Sequence, residues 1–141
     1  MAGLTLMELM ITLVILAILA SIAIPTYNDQ IRKTRRAEAM IALTEMANLQ
    51  EQFYADNFRY TTTVALLPYP ATSDGGSGYY SLSIPAVTTN PPGFTVQAQA
   101  ITGMSQANDT NCRTLTLTNT GVRASKDSSG NASTGCWVTG E

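Results

Sequence analysis

Gly3-Leu4-Thr5-Leu6-Met7-Glu8, then Leu9 to Ile24 without a charge, then Pro25, is the stretch that decides how this 141-residue chain is built. As a helix rising ~1.5 Å per residue, Leu4 to Ile24 would be about 31 Å long, the thickness of a bilayer's hydrocarbon core. The segment reads as a membrane span. Glu8 interrupts it near its start. A carboxylate well inside lipid costs on the order of 2.5–3.5 kcal/mol, less near the interface, so Glu8 either lies at headgroup level or has a partner.

Beyond this stalk the chain has room for one compact domain of about 110 residues. The net charge is −2 and the pI near 5.0, which provides no general basic field for nucleic acid. Histidine is absent, and there is no Gly-rich phosphate loop, no Gly-x-Ser-x-Gly and no evident pair of catalytic carboxylates. A Ser or Thr nucleophile would have only Lys33 or Lys126 as a lysine base, so no enzyme, cofactor or metal site is expected. Cys112 and Cys136 lie in a polar C-terminal region. They read as a disulfide if the stalk implies export to an oxidising compartment, and otherwise as two buried thiols. The sequons Asn108-Asp109-Thr110 and Asn131-Ala132-Ser133 are compatible with a surface.

Past Pro25 the polarity changes while the helical period persists. Tyr27 to Asn57 has no Gly or Pro, and Ile31, Met40, Ile41, Leu43, Ala47, Phe53 and Tyr54 recur mostly at three- and four-residue steps, as on one helix face. Pro25 lacks an N–H, so a kink is expected there rather than a stop. Phe58 and Tyr60 are expected to fold back on the helix. Residues 58–78 read as a loop, with Pro68, Pro70 and Ser73-Asp74-Gly75-Gly76-Ser77-Gly78. Period-two alternation then marks strands at Tyr80 to Ile84, Phe94 to Ala100 and Arg113 to Thr118. A fourth is placed at Val122 to Ala124, and Asn90-Pro91-Pro92-Gly93 turns between the first two. The expectation is an α+β module: a long N-terminal helix packed on a three- to four-stranded antiparallel sheet across residues 79–124, with the 112–136 region tethered by its cysteines and Trp137 capping the sheet.

The basic run Arg32, Lys33, Arg35 and Arg36 admits three readings: lipid headgroup contact, a solvated face paired with Asp29 or Glu38, or a nucleic-acid patch. No aromatic residues interleave with it, which makes the last the weakest. The positive-inside rule would keep these residues in the cytoplasm.

A Gly, a hydrophobic residue, Thr, two more hydrophobic residues, Glu, an apolar helix and a Pro seventeen positions after the Glu resembles the class III signal of type IV pilins and pseudopilins. The resemblance implies that residues 1–3 are a leader, that a prepilin peptidase cuts between Gly3 and Leu4, and that Leu4 is methylated at its new amine. It implies assembly through residues 4–25, with Thr5, Glu8 and Pro25 as motif positions and Glu8 paired to the Leu4 amine of a neighbouring subunit. Leu4 stands where the family usually has Phe, and Ala17 replaces a common mid-helix Gly. Met1-Ala2 carries no Lys or Arg, unlike family leaders, so either the natural start lies upstream or the leader has been altered. The C-terminal pattern, Cys112 before a Leu-Thr-Leu strand, then Gly121, Arg123 and Cys136-Trp137, is similar to minor pilins.

From the resemblance follows a structural subunit of a pilus that supports adhesion, twitching motility or DNA uptake. It would be stored in the inner membrane with residues 26–141 in the periplasm, then exported in an extracellular filament. Its partners would be membrane lipid, other pilin subunits, the peptidase and the inner-membrane assembly machinery. This orientation opposes the positive-inside rule, and the motif is followed. The alternatives are a type II secretion pseudopilin and a DNA-binding uptake pilin, for which the head offers only Arg59, Arg113, Arg123 and Lys126. A plain membrane anchor and a secretory signal, with a cut near Ala17-Ile18-Leu19-Ala20-Ser21, explain less of the motif.

Overall fold

The computed structural model describes residues 5–73 and 78–137. Its elements are α1 (Leu6–Asn57), β1 (Tyr80–Thr89), β2 (Pro92–Ala100), β3 (Thr114–Thr118) and β4 (Arg123–Lys126), with 3-10 turns at Val64–Leu66 and Ser105–Asn108. The chain divides into two compact units, Met1–Lys33 and Thr34–Glu141.

The described part of the first unit is helix. Thr5 starts it, its Oγ1 accepting the Glu8 N–H at 3.2 Å, a bond that satisfies one of the donors every helix leaves open at its start. Pro25 lies inside α1 and does not end it. The proline withholds one N–H from the preceding turn, and next to it Thr26 Oγ1 donates to the Ile22 carbonyl at 3.1 Å.

In the second unit the strands form a meander in the order β1-β2-β3-β4, every pair antiparallel. The register aligns Leu82, Ala98, Leu115 and Ser125 across the sheet, so one face is apolar and the other is built from Ser, Thr and Gln. Residues 34–57 of α1 cover the apolar face with Ala39, Ala42, Leu43, Met46 and Gln50. Alanines at steps of three and four let the helix lie close to the sheet, while Leu43 and Met46 fill the space between them.

The expected face holds in part: Leu43 is buried and Met40, Ala47 and Phe53 pack against the core, but Ile41 is 60% exposed. Ala39, Ala42 and Gln50 replace it in the interface. Buried Gln50 is satisfied by the loop after the helix: its Nε2 donates to the Thr61 carbonyl at 2.6 Å, and its Oε1 accepts the Thr61 N–H at 3.1 Å. β1 runs five residues past Ile84, carrying Pro85 at a register shift between Ser83 and Ala86. The strand lies at the sheet edge, where a missing N–H and a bulge are tolerated.

Cys112 and Cys136 are bonded, with Cα atoms 5.5 Å apart and both side chains buried. The bond fastens the weakly apolar stretch after β4 to the residue two before β3. Closing a loop with a sequence separation of 24 contributes about 3 kcal/mol by the chain-entropy argument. Trp137 completes the tether, its Nε1 donating to the Ala124 carbonyl at 2.9 Å.

Candidate functional site

From Leu6 to Ile24 the large apolar side chains of α1 are 51–77% exposed, and the most apolar 18-residue window has a mean hydropathy of 2.6 with nothing buried. Among the described residues α1 is the one helix long and apolar enough to cross a membrane. Glu8 lies within its first turn and has no ion-pair partner among the described residues. Gly3 and Leu4, the processing and methylation positions, lie outside the described residues. Thr5 caps the helix, a role that the Thr-x-x-Glu spacing of Thr5 and Glu8 signals but that the sequence reading passed over.

The basic run does not act as one patch. Arg32 Nη1 pairs with Asp29 Oδ1 at 3.2 Å, one turn back on the same helix. In the second unit, Arg35 sets its guanidinium 3.6 Å over the Tyr79 ring and donates to Ser105 Oγ at 2.8 Å. Arg36 grips Asp109 with two nitrogens, Nε to Oδ2 at 2.5 Å and Nη2 to Oδ1 at 2.8 Å, and the two side chains are only 15% and 5% exposed. Gln106 Nε2 donates to both Asp109 Oδ2 and the Tyr80 hydroxyl. The helix is thereby clamped to the loop that leads into Cys112. Sequence reading had no means of finding this clamp, since its partners are seventy-three residues apart and Asp109 sits inside a sequon.

Two concave regions adjoin the head's exposed apolar residues. A groove of about 250 Å³ runs beside Met40 and Ile41 under Arg123 and Trp137, the guanidinium 5.4 Å from the ring centroid. A cleft of about 160 Å³ opens between the end of α1 and the β1–β2 hairpin. There an aromatic row leads outward from the core: buried Phe94 meets Tyr60 edge-on at 4.9 Å, and Tyr60 stacks on Tyr54 at 4.6 Å. Phe58 does not fold back as expected. It follows the last helical residue with φ +55°, its N–H closing on the Tyr54 carbonyl at 2.8 Å, and its side chain is 84% exposed. This left-handed helix-ending position normally goes to glycine, because a Cβ there costs on the order of 1 kcal/mol.

Burial pushes the Tyr80 hydroxyl up to about 12; the Gln106 hydrogen bond opposes the shift and the Asp109 charge adds to it. Tyr69 is raised to about 12 as well, by burial and then by its hydrogen bond to Glu45. Asp127 is held below the usual carboxylate range, chiefly by the Asn131 backbone N–H.

Removing one partner of the clamp leaves a buried charge alone. Asp109→Ala should therefore lower unfolding stability by roughly 3–5 kcal/mol in denaturant titrations of the full chain in micelles, while Arg36→Met/Asp109→Leu together should recover most of the loss. The folded-state value of Tyr80 lies above the unfolded 10, so its contribution is complete below pH 10 and is lost as pH rises through 12. Melting curves between pH 9.5 and 12 should show a decline, with Tyr80→Phe removing on the order of 2 kcal/mol of it and the Tyr69 part remaining.

The family model described as type IV minor pilin ComP, DNA uptake sequence receptor, matches residues 25–116. Type II secretion system core protein G of Aeromonas hydrophila is 36% identical over 62 residues, covering 44% of this chain and 43% of that protein. Fimbrial protein EcpC of Eikenella corrodens is 33% identical over 73 residues, covering 52% and 48%. The chain thus spans about half the length of the relatives it matches. A crystal structure of the Neisseria meningitidis non-core minor pilin PilV shares the fold, with a TM-score of 0.53 at 20% identity over 74% of this chain and 96% of that one. With a family match that covers the whole of the helix in the head and the sheet into β3, on a fold that PilV shares, this chain belongs to the type IV minor pilin ComP family.

Proposed function

We propose that the chain is a minor subunit of a pilus-type filament, stored in the inner membrane by its apolar helix and then packed through the same helix against neighbouring subunits. The observation that carries this reading is the bare apolar surface of Leu6 to Ile24, at least 51% exposed at every large apolar position. Such a surface has no stable place in water, so lipid or other helices must cover it. Residues 1–3 are removed by a prepilin peptidase in this reading, and the head faces the periplasm until export. The Leu4 amine, methylated after cleavage, neutralises Glu8 of an adjacent subunit once both leave the headgroup region.

The pair fixes axial register more than it adds net stability. A buried ion pair roughly balances its desolvation cost, while a lone buried carboxylate does not. The role is structural, with Thr5 holding the helix start and Pro25 taking up the change of direction between lipid and filament. Glu8→Ala and Glu8→Gln should each lower the amount of this chain in sheared surface filaments by at least tenfold, with the head still oxidised and folded in the membrane fraction. Undiminished incorporation of both variants would remove the role given to Glu8. In material from the native cells, intact mass should show loss of residues 1–3 and one added methyl group.

DNA binding is the second reading. The matched family's description names a DNA uptake sequence receptor, and the four strands of this chain contain no Asp or Glu. Among the described residues of the head, Arg35 and Arg113 are hydrogen-bonded and Arg36 is paired, whereas Arg59, Arg123 and Lys126 have no side-chain hydrogen bond or ion pair, so these three are the head's cations open to phosphate. With at most three such contacts, a plot of log K against log salt for duplex DNA should have a slope of about −3 or shallower. Charge reversal at Lys126 should flatten it further, and a salt-independent affinity would end this reading.

A further inference from the structure

We propose that the cleft between the end of α1 and the β1–β2 hairpin binds one neutral sugar ring of an oligosaccharide. The first ground is Phe58. The position asks for glycine on backbone grounds, yet it holds a bulky aromatic with φ +55° whose ring is 84% exposed. Neither the strain nor the exposure serves the stability of the head, and such outliers gather where a side chain is kept for contact with something else.

The second ground is preorganisation. Tyr54, which lines the cleft beside Phe58, is braced from behind by Tyr60, and Tyr60 in turn by buried Phe94. Aromatic faces carry negative quadrupole charge and attract the weakly positive C–H edges that a pyranose presents on its flatter side. Thr88, Thr89 and Arg59 line the same cleft. Thr88 Oγ1 already donates to the Pro91 carbonyl at 2.8 Å, which leaves its lone pairs to accept from a ligand hydroxyl. Arg59 supplies donors only, so the wall offers both halves of what a sugar hydroxyl needs.

The third ground is charge. Among the described residues Arg59 is the one charged residue lining the cleft, while Glu51 accepts from the Tyr60 hydroxyl at 3.2 Å and Asp56 lies exposed on the last turn of the helix. A single cation, with two carboxylates nearby in sequence on the helix, gives little hold on a phosphate backbone and leaves room for an uncharged ring. At about 160 Å³ it takes a single ring and not a folded segment of protein.

The test uses the full chain in a zwitterionic detergent free of sugar. Lactose, cellobiose and N,N′-diacetylchitobiose are the probes, with oligo-dT and duplex DNA as comparators, read by saturation-transfer NMR. Transfer is expected from the protein to the ring C–H protons of at least one disaccharide, with shifts of the Tyr54 and Phe58 ring resonances. Phe58→Gly, which relieves the backbone and removes the ring, should weaken binding at least tenfold with thermal stability kept or raised. The proposal is overturned if no disaccharide shows transfer, if Phe58→Gly binds as the parent does, or if oligo-dT instead moves the Tyr54 and Phe58 resonances. Should Phe58→Gly fail to fold, the ring shifts of the parent protein decide alone, and their absence overturns the proposal.

Discussion

An apolar helix surface without a cover is the constraint on which this molecule depends. From Leu6 to Ile24 every large apolar side chain is at least half exposed, and the polar groups on the run are few: Thr12 and Ser21 each turn a hydroxyl back to a carbonyl of the preceding turn. Those two bonds hide the hydroxyls from the surroundings, so the outer surface stays almost wholly hydrocarbon. Lipid chains and other apolar helices are nearly equivalent solvents for such a surface. That equivalence lets one element serve storage and assembly with little change in transfer free energy. The exception on this surface is the carboxylate of Glu8 in the first turn, which calls for either the headgroup level or a partner.

The head is held by means that do not draw on that surface. Its helix face is lined with small side chains that bring α1 against the sheet, and the sheet's apolar row ends at β4 with Ser125 rather than another large residue. Beyond β4 little packing remains, and covalent and polar ties replace it: the disulfide at Cys136, the Trp137 bond to Ala124 and the Ser133 N–H to the Ser125 carbonyl. The Arg36 to Asp109 clamp performs the same service for the segment between β2 and β3. Ties of three chemistries, covalent, ionic and hydrogen-bonded, thus secure the segment between β2 and β3 and the stretch after β4, neither of which has the apolar content to bury itself.

How far the molecule was legible in its sequence follows from where the signal is local. The end of α1 at Asn57 and the alternation in β2 and β3 could be read, because helix period and strand period are properties of a few adjacent residues. The cysteine pair was legible because only two were present. The buried helix face was legible in part, through Leu43, Met40, Ala47 and Phe53; counting large apolar residues also favoured Ile41, whereas close helix-to-sheet packing selected Ala39 and Ala42. Gln50 and Arg36 were missed for a related reason: each is buried only because a partner distant in sequence satisfies it. β1 was read only as far as the alternation runs, to Ile84; beyond it the strand carries Pro85 and a register shift, which its place at the sheet edge tolerates.

Phe58 marks a limit of another kind. Read locally, an aromatic just past a helix belongs on the helix, and its neighbour Tyr60 does return to stack on Tyr54. Phe58 does not: it leaves the helix at φ +55° with its side chain 84% exposed. A glycine there would have permitted the same exit at lower backbone cost, and Phe is the choice that needs a separate reason. Like the bare surface of residues 6–24, the Phe58 ring is an apolar group left for something outside the chain to cover.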